Sequence, residues 1–360
     1  MPFPHSESSN DDSPRPNTDP TPDDQHHTSS SSAGQAGDAD FEPPSAAEDD
    51  FVFQAELARP DLPRRPLVRQ RRRGLPLVLF LLTCFSTFIA GGCQWVPHYL
   101  FLISDYMPLR RTLISHWDTG LIYMACVLAI LLTHEMGHFI ATLIHRIPAS
   151  FPYFLPLPIS PIGTLGAVIG MDGLRANRKE MFDIGIAGPL AGLVVAVPIL
   201  WVGIDRLDFT EPRYGLYQVD VPMSVRLALN WIRPPGYTPG QVVWQGQLNP
   251  YFMAGWVGLL ITGLNMMPVS QLDGGHVTYT LFGKRAHWIA RGFMLLAIAW
   301  VIYSETHGFI VMILLIMLVG TDHPPTSNDK VPLGWFRQTL GVASLSIPIL
   351  CFAPRVIIMP

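Results

Sequence analysis

The stretch Leu131-Leu-Thr-His134-Glu135-Met-Gly-His138-Phe-Ile-Ala-Thr-Leu-Ile144 sets two histidines four residues apart inside an apolar run. On a helix that offset places both imidazoles on one face, about 6 Å apart along the axis, with Glu135 beside them. His-Glu-x-x-His in this form is the spacing of a catalytic metal site in which the glutamate serves as base. The setting is unusual. From Gly120 to Ile144 the only other ionisable side chains are the Tyr123 phenol and the Cys126 thiol. Ionisable groups at membrane depth are costly and are kept for function. The run therefore reads as a membrane-spanning helix that carries half of a hydrolytic metal site.

The rest of the chain fits that setting. Apolar residues make up 49% and charged residues only 14%, a low charged fraction for a soluble protein. Residues 1–50 hold twelve Asp and Glu against one Arg, so the net charge of −4 conceals a basic remainder. An opening this acidic, and rich in Ser and Pro, has too little to bury. Residues 1–74 are expected to be a disordered tail ending in a basic juxtamembrane stretch, with seven arginines between Arg59 and Arg73. The transmembrane domain is expected over 75–354. A signal peptide is disfavoured because the charged run lies so far from the first residue. The four cysteines form no CxxC pair, so neither a disulfide framework nor a thiolate metal site is indicated.

Apolar spans read as Leu75–Ala90, Gly120–His145, Phe182–Ile204, Tyr251–Met267, Trp288–Tyr303, Phe309–Gly320 and Leu340–Phe352. Several are shorter than the roughly 20 residues of a perpendicular crossing. The expected fold class is an all-α polytopic membrane protein of six to seven transmembrane helices. The arginines before Leu75 place the N-terminus in the cytoplasm. Residues 146–180 then fall inside with Arg175, Arg178 and Lys179, the 205–250 loop falls outside, and Lys284 and Arg285 return inside. His138 and His134 come to lie roughly 12 and 18 Å from the cytoplasmic end, at about 1.5 Å per residue.

A catalytic metal of this kind wants three protein ligands and an open position. The local candidates fail. An extended motif would need Gly at 141 and His at 144, where the chain has Ala141 and Ile144. Glu180 and Asp183 open a span in no recognisable motif. The better candidate is Asn265-Met-Met-Pro268-Val-Ser-Gln-Leu272-Asp273-Gly274-Gly275-His276, where a span meets a proline and a double glycine and its helix should break. An acid, an amide and an imidazole thus gather at the same cytoplasmic depth as the first cluster. His276 reads either as a partner of Asp273 or as a polar group facing water. Gly188 and Gly192 read as a helix-packing pair, and Asp322-His323-Pro324-Pro325 as a juxtamembrane turn. A pair of histidines with a carboxylate suits several divalent ions.

The two motifs together, HEMGH and Asn265-x-x-Pro268-x-x-x-Leu272-Asp273-Gly274, resemble those of the site-2 protease family of intramembrane zinc metalloproteases. The likeness is to a bacterial-type form without a PDZ or CBS domain. Residues 182–189 are similar to the family's glycine-rich core span, and 162–169 to its short membrane-associated β segment. The resemblance implies one Zn²⁺ per chain, with His134, His138 and Asp273 as ligands. It implies Glu135 as the base that activates water at the zinc, and Asn265 as a group that steadies the reacting carbonyl. It implies an intramembrane zinc metalloendopeptidase cutting single-span membrane protein substrates in regulated intramembrane proteolysis. The expected location is the lipid bilayer of a cell inner membrane, with the active site toward the cytoplasmic side. No nucleic-acid partner is expected, and the oligomeric state is open.

Two other functions remain for the bare residues. One is a metal or proton transporter using the intramembrane His/Asp cluster, although transport needs several coordinating steps and the chain offers one compact cluster. The other is a non-catalytic membrane scaffold, against which the intact Glu135 argues. Pro161–Val168 is a candidate edge for adding an unwound client strand.

Overall fold

The computed structural model describes residues 74–96, 106–269, 271–304, 323–353, 355 and 357–358, all within the unit Val68–Pro360. The expected acidic tail and the span Phe309–Gly320 lie outside the described residues.

Apolar helices dominate. In chain order they begin with α1 (Gly74–Gly92), α2 (Tyr106–Ser115) and α3 (Trp117–Ile144). A hairpin of β1 (Tyr153–Pro156) and β2 (Thr164–Val168) follows, then α4 (Arg178–Asp205). Next come β3 (Gln218–Val219), α5 (Met223–Ile232), β4 (Val243–Trp244) and α6 (Pro250–Asn265). The order closes with α7 (Asp273–Phe282), α8 (Ala286–Ser304), α9 (Trp335–Ser344), α10 (Ile347–Cys351) and β5 (Ile357–Ile358).

Among the described residues, four stretches are long and apolar enough to cross a membrane: Gly74–Gly92, Trp117–Ile144, Arg178–Asp205 and Asp273–Tyr303. The last differs from the sequence reading, which began this span only at Trp288. Asp273 in fact starts a helical run that continues through a single 3₁₀ turn at Gly283–Arg285 into α8. The segment read as Tyr251–Met267 is a 16-residue helix, α6, ending at Asn265. It is buried along nearly its whole length among the other helices rather than facing outward. The segment read as Leu340–Phe352 is divided between two short helices, α9 and α10.

Small residues set how closely these helices approach. A Cβ on Gly91 of α1 would lie 2.8 Å from the Tyr123 Cβ, and one on Gly120 of α3 would lie 2.7 Å from the Phe88 carbonyl. The α1–α3 crossing is therefore backbone against backbone, as helices without a hydrophobic drive between them require. α4 packs against both α3 and α6 and forms the centre of the bundle. Its start is fixed by a capping box in which the Asn177 side chain accepts from the backbone of Lys179 and Glu180 while Glu180 accepts from the Asn177 N–H. At its other end, Asn249 donates to the Gly203 carbonyl (2.8 Å) and accepts from the Phe252 N–H (2.9 Å), tying α4 to the start of α6. Leu77, Leu81 and Phe85 of α1 and Leu295, Leu296 and Ile302 of α8 point outward. In a bilayer these are faces for acyl chains.

The β1–β2 pair is antiparallel and runs back along the bundle from the C-terminal end of α3. Its tip reaches the opposite end of the same helix, where the Tyr123 hydroxyl donates to the Ile162 carbonyl (2.9 Å). The Ser86 hydroxyl of α1 holds the adjoining Gly163 carbonyl (2.5 Å). Tyr123 and Ile144 are separated by about 30 Å of helix at 1.5 Å per residue, so the hairpin extends over most of the length of α3. Gly163 has φ +82°, and a Cβ there would meet the α1 backbone at Thr87 (2.8 Å), so only glycine suits the tip.

Candidate metal centre

α3 presents His134, Glu135 and His138 as buried residues on the side packed against α4. The packing on α4 is possible because Gly188 and Gly192 lie beneath the two rings. A Cβ on Gly188 would overlap the His138 imidazole, and one on Gly192 would stand 3.0 Å from His134 Nδ1. His138 Nδ1 donates to the Ile184 carbonyl of α4 (2.7 Å), which leaves its Nε2 bare.

The opposite wall comes from the break between α6 and α7. α6 ends at Asn265 and α7 begins at Asp273, with Asp273 in its first turn, where the helix dipole favours a carboxylate. A Cβ on Gly274 would overlap the Met266 carbonyl, so the second residue of α7 must be glycine for the two helix ends to meet so closely. Asp273 Oδ2 lies 3.2 Å from His134 Nε2, and Asp273 Oδ1 lies 3.3 Å from His138 Nε2. The two Nε2 atoms are 3.2 Å apart.

These distances fit a metal. Bonds of about 2.0–2.1 Å in a tetrahedral zinc site put neighbouring ligand atoms about 3.3 Å from one another. Two imidazole lone pairs and a carboxylate pointing at one spot repel unless a cation lies between them. Among the described residues, His134, His138 and Asp273 form the group of His, Cys, Asp or Glu side chains able to hold an ion, with donor atoms within 4.8 Å of one another. The Asn265 amide nitrogen lies 3.5 Å from His134 Nε2. Glu135, Asn265, Asp273 and His276 line one cavity with the two histidines, and Val168 and Ile169 at the end of β2 complete its rim.

All five residues singled out from the sequence therefore meet at this cavity. The two acids set aside as ligands lie elsewhere. Glu180 serves the α4 cap, and Asp183 takes a two-pronged hydrogen bond from Arg337 (2.7 and 2.9 Å) with His145 3.1 Å away. The roles of four residues escaped the sequence reading. Gly188 and Gly192 do face a packing neighbour, but that neighbour is the pair of imidazoles. The Ile184 carbonyl carries no sequence signal at all. His323, read as part of a turn, reaches His276 (2.6 Å between His276 Nδ1 and His323 Nε2). Asp322 of the same turn lies outside the described residues.

Comparison with known proteins agrees with the geometry. The model of peptidase family M50 matches residues 122–296. The probable zinc metalloprotease EGY1, chloroplastic, of Oryza sativa subsp. japonica is 30% identical over 297 residues, covering 78% of this chain and 50% of that protein. Its namesake in Arabidopsis thaliana is 29% identical, with coverages of 78% and 53%. The probable zinc metalloprotease EGY2, chloroplastic, of Arabidopsis thaliana is 25% identical, with coverages of 74% and 49%. The chain spans about half the length of the curated relatives it matches.

Proposed function

This chain belongs, through residues 122–296, to peptidase family M50, and we propose that it is a zinc-dependent endopeptidase that hydrolyses peptide bonds of membrane proteins within the bilayer. The observation that carries this reading is the convergence of His134 Nε2, His138 Nε2 and Asp273 on one point, beside Glu135, between helices apolar enough to span a membrane. We assign His134, His138 and Asp273 as the ligands of one Zn²⁺. Zinc bound there supplies a Lewis acid and brings the pKa of water toward about 7.

The protein's own groups do the rest. Glu135 accepts the proton of the attacking water and delivers it to the leaving amine nitrogen. The Asn265 amide N–H is placed to steady the oxygen of the reacting carbonyl. The Ile184 carbonyl fixes the ring of His138, and Gly188 and Gly192 make room for both imidazoles.

The finer features of the reading are supported by particular residues. The arginines before Leu75 favour a cytoplasmic N-terminus in a cell inner membrane, with six or seven crossings and the active site toward the cytoplasm. The expected division into a tail (1–74) and a membrane domain (75–354) follows the same boundary. Single-span membrane proteins are the substrate class best suited to a cavity beside a hairpin edge. Leu165 and Val168 of β2 are exposed, Val168 at the cavity itself, and an unwound segment can pair along this strand by strand addition.

The test is cleavage of a model transmembrane substrate by the purified protein in detergent. Glu135→Gln should keep one zinc per chain and lose cutting by about 10²–10⁴-fold. Retained cutting in that variant, or metal flux without proteolysis, would overturn the assignment.

A further inference from the structure

His276 stands three residues after Asp273, in the wall of the same cavity, and the function proposed above gives it no part. The residue is 8% exposed and packs against α4, where a Cβ on Gly185 would lie 2.9 Å from the His276 Cβ. Its Nδ1 meets His323 Nε2 at 2.6 Å. His323 is fixed from every side. Its Nδ1 lies 2.5 Å from the Pro324 carbonyl, and its ring stacks on Tyr279 at 4.4 Å between centroids. Its own carbonyl lies 3.2 Å from His287 Nε2.

The hydrogen bonds set the direction of this chain of rings. A carbonyl oxygen can only accept, so His323 Nδ1 carries a hydrogen and donates to Pro324. His323 is 5% exposed, and among the described residues no carboxylate hydrogen-bonds its ring, so the neutral form is favoured. Neutral His323 with Nδ1–H has a bare Nε2, which must accept from His276 Nδ1–H. His276, buried and neutral in turn, is left with a bare Nε2. That atom has no hydrogen-bond partner among the described residues, and His276 lines the cavity. A ring that lines the cavity is thus held as an acceptor by His323.

We propose that His276 is a positioning residue for the hydrolysis: locked as the Nδ1–H tautomer by His323, it presents its Nε2 lone pair to the cavity and accepts a hydrogen bond from the water there. The proposal rests on the proteolytic reading of the site, and its test separates the two. In full-length protein with ring-¹⁵N histidine, assigned by comparison with His276→Phe, His276 should show a protonated Nδ1 and a bare Nε2. His323→Phe, which keeps a ring against Tyr279 and removes the acceptor, should shift His276 toward the Nε2–H form. Kinetically, His276→Phe should lower kcat by about 10–100-fold, the range of other groups that orient a metal site, with KM and zinc content unchanged. His323→Phe should lower kcat similarly, and the double variant should lose no more than the worse single one. His276→Gln, whose Oε1 can accept where Nε2 did, should restore part of the rate.

A wild-type His276 protonated on Nε2 overturns the proposal, whatever the activity. So do additive losses, or an effect on KM alone. Should no variant or wild type cut substrate while the tautomer is as stated, the proteolytic reading fails and the acceptor assignment survives.

Discussion

Gly188→Ala adds a single methyl group to the chain, yet it should disable the metal centre. The added Cβ would land within the His138 imidazole, the ring whose Nε2 faces Asp273 Oδ1 at 3.3 Å. Carbon atoms in contact prefer about 3.5–4.0 Å, so the ring must retreat by on the order of 1 Å. Metal–ligand distances tolerate only about ±0.2 Å. The retreat also breaks the His138 hydrogen bond to Ile184, which belongs to the same helix as the new methyl group. We expect zinc to bind at least about 100-fold more weakly, about 2.8 kcal/mol, together with about 1–3 kcal/mol of lost stability from overpacking.

Gly192→Ala is a graded companion. Its Cβ stands 3.0 Å from His134 Nδ1, so a shift of a few tenths of an ångström relieves it, and about 10-fold weaker zinc is expected. Gly292→Ala in α8 meets nothing within 4 Å and should bind zinc like the wild type. The assay is a zinc titration against a chromophoric chelator on detergent-solubilised protein, with stoichiometry by elemental analysis. Wild-type affinity in Gly188→Ala would refute the reasoning, as would equal losses in all three variants.

Three further outcomes are expected. Stripping the protein with a chelator should abolish cleavage and stoichiometric Zn²⁺ should restore it; activity that survives complete removal, checked by elemental analysis, would rule out the metal. Gly166→Pro should abolish cleavage while zinc content holds, because Gly166 has φ +104° and proline is fixed near −65°, so the β2 edge must distort; wild-type cleavage of a membrane substrate would remove the hairpin from substrate handling. Asp329 accepts from Thr326 (2.6 Å) and Tyr279 (2.8 Å); burial pushes its carboxyl up, but these hydrogen bonds outweigh burial and hold it below the usual range. A lowered carboxyl pKa stabilises the fold fully above its ordinary range and loses that effect as pH falls through the lowered value. Melting curves of wild type should therefore drop more steeply below about pH 4 than those of Asp329→Asn, and parallel curves would show that the contact contributes nothing.

Which parts of the site the sequence could reveal follows from the range of each interaction. His134, Glu135 and His138 were legible because helix periodicity alone aligns them. Asp273 lies 139 residues from His134, and its place beside the histidines could be inferred only because a proline and two glycines mark a broken span. Gly188 and Gly192 announced a close approach without saying to what, since a missing side chain does not encode its neighbour. The hydrogen bond from His138 to a backbone carbonyl leaves no trace in residue identity. The helix boundaries misread at Trp288 and Met267 share one cause. Apolar composition reports where lipid or protein surrounds a helix, but α6 is enclosed by protein and α7 carries polar residues into the core. The contact between His276 and His323 spans two elements, and the only hint of it was a pair of histidines, each of which had a simpler reading.

The distance between the two halves of the centre along the chain has a consequence for biosynthesis. The ribosome releases the His134–His138 pair long before Asp273, and the His323–Asp329 segment emerges later still. Until α7 has inserted and docked against α4, α3 holds two imidazoles and a base with no carboxylate beside them. On the proposed function, a nascent chain that carries HEMGH should be inert toward its membrane neighbours until α7 is in place. On that function, a bond-cutting centre split across the sequence in this way carries its own protection against premature action.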